Sequence, residues 1–138
     1  MIIYSEKKSK FDDDIKSGNI AEKLSKSFYY NGIYNNNIAE KLAWQNSLPK
    51  LQQVLDDPMF SEDIQVCIEY QIPLTSKRID FLIGGADETG HEQIIVVELK
   101  QWEEAARTSR EGIVTAFTGG MVRAIAHFIP SLFLCENA

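Results

Sequence analysis

The sequence lacks most of the features that would explain it quickly. Its 138 residues hold two cysteines, Cys67 and Cys135, and two histidines, His91 and His127. Cysteines so far apart form neither a disulfide framework nor a pair with zinc-ligand spacing, and two isolated histidines supply no ligand cluster. Positive charge is also scarce: 14 Lys and Arg stand against 20 Asp and Glu, a net charge of −6. That balance excludes a protein that holds nucleic acid by bulk charge, although it leaves room for a local field at one site. No apolar run approaches the ~20 residues of a membrane span, and the opening MIIYSEKKSK has neither the apolar stretch nor the cleavage site of a leader. The expected compartment is therefore the cytoplasm, with no membrane partner. No glycine-rich phosphate loop of the P-loop type occurs either, so no ATPase chemistry is expected within these residues.

What remains is enough for one core, since 44% of the residues are hydrophobic and 10% aromatic. Residues 1–10 are polar and basic and are expected to be a flexible lead-in, with a single domain over 11–138. Phe11, Ile15, Ile20, Leu24 and Phe28 predict helix interrupted near Gly18, with Asp12-Asp13-Asp14 as first-turn acids rather than metal ligands. Asn37 and Glu40 form a capping-box pattern ahead of a helix that buries Ile38, Leu42, Leu48, Leu51 and Leu55. Pro49 predicts a kink there, or a break with Ser47 as a new cap. From Ile64 to Ile72 the residues alternate as in a half-buried strand, with Glu69 on the outer face toward solvent. Ile113 to Thr118, Gly119-Gly120 and Met121 to His127 read as a hairpin.

The stretch Lys77 to Trp102, KRIDFLIGGADETGHEQIIVVELKQW, organises the rest. An antiparallel register with Asp80 opposite Glu98 also pairs Phe81 with Val97, Leu82 with Val96 and Ile83 with Ile95, leaving Gly84 to Gln93 as the connection. Alternation then puts Glu98 and Lys100 on one face, joined by Asp80 from the neighbouring strand. The remaining positions are almost all Val, Ile, Leu and Phe, which predicts a sheet covered on both faces. Three charges at the end of such a hairpin are costly unless they bind something, and a hard divalent cation, Mg²⁺ or Mn²⁺, suits carboxylate and carbonyl oxygens.

Asp80 followed by Glu98-Leu99-Lys100 resembles the D…ExK motif of the PD-(D/E)XK, or restriction-endonuclease-like, nuclease superfamily. With Ala43 to Leu48, Glu69 to Pro73, Lys77 to Asp80 and Glu98 to Trp102, the wording is similar to nuclease-like N-terminal regions of bacterial proteins that continue into a P-loop helicase-type ATPase. The resemblance spans Phe11 to His127. It implies an α/β fold, a restriction-endonuclease-like mixed sheet flanked by helices, in which the segment after His127, FIPSLFLCENA, has no counterpart to the family's second core helix and last strand. The expectation is an incomplete domain, a fragment of a longer protein. The implied activity is Mg²⁺- or Mn²⁺-dependent cleavage of nucleic acid, expected to be DNA. Asp80, Glu98 and the Leu99 carbonyl would hold the metal and Lys100 would orient the attacking water. Glu40 has two readings, a helix cap or the metal-orienting glutamate that many such nucleases carry on the first core helix. Lys77, Arg78, Arg107 and Arg110 are the candidate phosphate contacts. The alternative is a nuclease-like domain that binds without cutting, or an inactive fragment.

Overall fold

The computed structural model describes residues 1–33, 38–99, 105–110, 113–118 and 121–126. They fall into two compact units, Met1–Leu99 and Lys100–Ala138, in place of one domain over 11–138. The first unit runs β1 (Ile2–Lys7), α1 (Lys8–Lys16), α2 (Ile20–Tyr30), α3 (Ile38–Leu55), β2 (Gln65–Gln71), β3 (Arg78–Ala86) and β4 (Glu92–Val97). Its sheet has the order β1-β2-β3-β4, every pairing antiparallel. The unit is thus mixed α/β.

Apolar alternation builds the centre. Val66, Ile68, Phe81 and Ile83 are buried, and the pairs Val66↔Ile83 and Ile68↔Phe81 put them on one face of adjacent strands. Phe11 of α1 meets that face edge-on, its ring 5.7 Å from the Phe81 ring, while Leu24, Phe28, Leu48, Leu51 and Leu55 complete the core from the helices. Each such side chain is worth about 1.5–3 kcal/mol in burial. The helix break at Gly18 is as the sequence predicts. There the Gly18 N–H bonds to the Ile15 carbonyl and the Asn19 N–H to the Asp14 carbonyl, closing a Schellman motif around a residue at φ +70°. Gly32, at φ +72°, ends α2 in the same way.

Residues 1–10 are not a lead-in: Ile2–Lys7 pair with β2, and α1 starts at Lys8. The N–H groups of Lys8 and Ser9, which have no acceptor inside the helix, bond to the carbonyls of Ile64 and Glu62. This earlier start moves Asp12 to Asp14 beyond the first turn. Asp14 is buried and accepts from the Tyr4 hydroxyl at 3.0 Å, Lys10 at 3.0 Å and Lys23 at 2.6 Å. Asp12 is buried beside Lys8, which also pairs with Glu62. The triplet is a set of charge anchors between β1, α1 and α2.

Further differences concern α3 and β4. The helix passes Pro49 without a break, forgoing only the N–H that proline lacks. It buries Trp44, Leu48, Leu51 and Leu55, but Ile38 and Leu42 are 73% and 52% exposed, so its first turns are not held by an apolar stripe. Asn37, the expected cap, lies outside the described residues. The β3–β4 register is the one read from the sequence, and it continues through Gly84↔Ile94 to Ala86↔Glu92, shortening the connection. The sheet is not covered on both faces at its outer strand: Ile94, Ile95 and Val96 are exposed, because α1 and α2 lie against β1, and α1 also against β2, on the far side of the sheet.

The second unit holds β5 (Ala105–Arg107), β6 (Ile113–Thr118) and β7 (Met121–Ala126), an antiparallel sheet of order β5-β6-β7. The β6–β7 hairpin has the expected register, Thr118↔Met121 to Ile113↔Ala126; β5 was not foreseen, being only three residues long. Among the described residues no helix is long and apolar enough to cross a membrane.

Candidate metal centre at the end of the β3–β4 hairpin

The ladder between β3 and β4 stops at Phe81↔Val97. One step further, a side chain takes over from the backbone. Asp80 Oδ2 accepts the N–H of Leu99 at 2.8 Å, which fixes a half-buried carboxylate against the Glu98-Leu99 peptide. A charged acceptor makes this bond stronger than an ordinary ladder bond. Glu98 is exposed. Asp80 and Glu98 are therefore brought to the same hairpin end, while Lys100, the third member of the motif, lies outside the described residues.

Beside Asp80 is a cluster that sequence reading did not assemble. Arg78 bonds Glu40 Oε1 through Nη2 at 3.2 Å and Glu69 Oε2 through Nη1 at 3.1 Å, and its guanidinium lies 5.3 Å from the Phe28 ring centre. Trp44 donates its indole N–H to Glu69 Oε1 at 3.2 Å and stacks on Phe28, the planes 9° apart. Glu69 is buried, not solvated as alternation suggested. Its backbone has φ +56°, and the β2–β3 register steps over it from Ile68↔Phe81 to Tyr70↔Ile79. A left-handed conformation costs a side-chain-bearing residue about 1–2 kcal/mol, a cost the contacts to Arg78 and Trp44 offset.

Burial pushes the Glu69 carboxyl above its ordinary range; Arg78 and the Trp44 hydrogen bond pull it back, while Asp80 and Glu40 push it further up. Three carboxylates, Glu40, Glu69 and Asp80, thus share the field of one guanidinium. The excess is negative, which suits a cation.

Of the remaining candidates, Lys77 is exposed in the turn before β3. Arg107 and Arg110 are exposed in the second unit, on β5 and the bend after it. Arg78, expected on phosphate, has its donors turned to carboxylates. The sequence did contain a signal for this cluster, because Glu69, Arg78 and Asp80 share a pleat face in the β2–β3 register. The aromatic contacts from α2 and α3 had no such signal.

The donor set fits a small hard cation. Two carboxylates next to a backbone carbonyl suit Mg²⁺, which keeps several of its waters and needs few protein ligands. Among the described residues no group of three or more His, Cys, Asp or Glu forms a fuller cage. Compared with protein-family models, with curated proteins and with solved structures, the chain matches none.

Proposed function

We propose that this chain is a metal-dependent nuclease domain of the restriction-endonuclease-like type, with Asp80 and Glu98 as the metal-holding carboxylates. The observation that carries the reading is the Leu99 N–H bond to Asp80, which joins the aspartate to the Glu98-Leu99-Lys100 segment. When bound, Mg²⁺ or Mn²⁺ supplies Lewis acidity to the scissile phosphate and acidifies the attacking water. Asp80 and Glu98 hold the ion, with the Leu99 carbonyl. Lys100 orients the water or offsets the charge that develops on the phosphate. Lys77 is suited to contact the nucleic-acid backbone, and Arg107 and Arg110 have the same chemistry. The nucleic acid is DNA in this reading, and a helicase-type ATPase is the partner module that the resemblance implies.

A second reading, a nuclease-like domain that binds without cutting, is favoured by one contact: Glu40, the helix carboxylate, is engaged by Arg78.

Calorimetric titration with Mn²⁺, followed by a cleavage assay, tests both. Wild-type protein is expected to bind Mn²⁺ and cleave DNA, and Asp80→Asn and Glu98→Gln to lose both properties while keeping the far-ultraviolet spectrum. Mn²⁺ binding without cleavage would select the second reading, and binding that survives both substitutions would remove the first.

A further inference from the structure

Arg78 precedes Asp80 by two residues on β3, so both side chains leave the same face of the strand, with Cα atoms about 7 Å apart. Three elements hold the guanidinium: α2 through the Phe28 ring, α3 through Glu40 and β2 through Glu69. Only 34% of the side chain is exposed. A guanidinium stays charged at any ordinary pH, so its effect on its surroundings is permanent.

That charge acts on a cation at Asp80 in two ways. It opposes the ion directly, and it competes for the Glu40 carboxylate, which would otherwise be available as a hard oxygen ligand. We infer that Arg78 is a positioning residue that withholds Glu40 from the Asp80–Glu98 site and thereby sets the site's affinity for divalent metal. The inference rests on the reading of Asp80 and Glu98 as metal ligands. It departs from that reading's own expectation for Glu40, because the glutamate joins the metal only when Arg78 lets it go.

The test is a double-mutant cycle read by Mn²⁺ calorimetry on the full chain: wild type, Glu40→Gln, Arg78→Gln and the double substitution. Glu40→Gln alone is expected to bind Mn²⁺ as wild type does. Arg78→Gln is expected to bind roughly tenfold more tightly, the effect of removing one positive charge near a divalent ion. Part of that gain should vanish in the double substitution, and Arg78→Lys, which keeps the charge, should show less of it. A purely structural role predicts the opposite sign, since loosening the cluster would weaken binding. Folded Arg78→Gln with unchanged or weaker binding overturns the inference, as does a loss of affinity in Glu40→Gln alone. Should Arg78→Gln fail to fold, Glu40→Gln decides: unaltered affinity supports the inference and weaker affinity overturns it. If wild type binds no Mn²⁺, the metal reading of Asp80 and Glu98 falls. The inference then survives only if Arg78→Gln acquires a Mn²⁺ site that Glu40→Gln abolishes, and falls otherwise.

Discussion

Asp14 and Glu69 are both buried carboxylates, and burial raises the pKa of each; their partners decide the outcome. At Asp14 burial is outweighed by hydrogen bonds from Lys23, Lys10 and Tyr4, which hold the carboxyl below its ordinary 3.8. At Glu69 burial wins, and the carboxyl lies above its ordinary 4.5. The two groups therefore contribute opposite slopes to stability. The Asp14 contribution is complete above about pH 3.8 and is lost as pH falls through its lowered folded value. The Glu69 contribution is lost as pH rises from about 4.5 through its raised folded value. Urea midpoints measured across the acid range should show Asp14→Asn flattening the first slope and Glu69→Gln the second. Asp14→Asn should also cost about 1–3 kcal/mol at neutral pH, because it removes the charge that two lysines and a tyrosine were placed to meet.

At the scale of elements, β4 stands out. It is the outer strand of its sheet, and Ile94 is 72% exposed, a combination that invites pairing with another chain. Ile94→Lys should change stability by less than about 0.5 kcal/mol, as exposed substitutions do, while reducing concentration-dependent light scattering on heating. The same strand shows what was legible in the sequence. Its register against β3 followed from apolar matching, Phe81 with Val97 and Ile83 with Ile95, since a one-residue slip would have moved every side chain to the other face. Its exposure did not follow, because a run of Val and Ile looks alike in a buried strand and at an edge. In α3 the apolar stripe foretold Leu48, Leu51 and Leu55 but misjudged Ile38 and Leu42. A stripe says which face is apolar, not how far along the helix a neighbour extends. Asp80 and Glu98 were legible because they lie one step past a well-specified ladder. The Arg78 cluster was obscured by Glu69, whose left-handed backbone breaks the alternation on which the reading relied.

For the molecule as a whole, the division at Leu99 makes a direct prediction. The four strands and three helices before it form a core whose large side chains, Phe11, Phe28 and Phe81 among them, all come from the first unit. A polypeptide of residues Met1–Leu99 should keep the circular dichroism of this unit and unfold in one thermal transition. A broad, non-cooperative melt would instead show that the core requires residues from Lys100 onward. Such a fragment would retain Asp80 and Glu98 but not Lys100, separating the binding of metal from any step that needs the lysine.

The hydrogen bond between Leu99 and Asp80 also gives the protein an internal reporter. An amide proton held by a carboxylate oxygen resonates far downfield and exchanges slowly with solvent. Its frequency follows the charge on that oxygen. A cation drawing on Asp80 would therefore shift a single amide signal, that of Leu99, so that an isotope-labelled sample can register the state of the hairpin end with no substrate present.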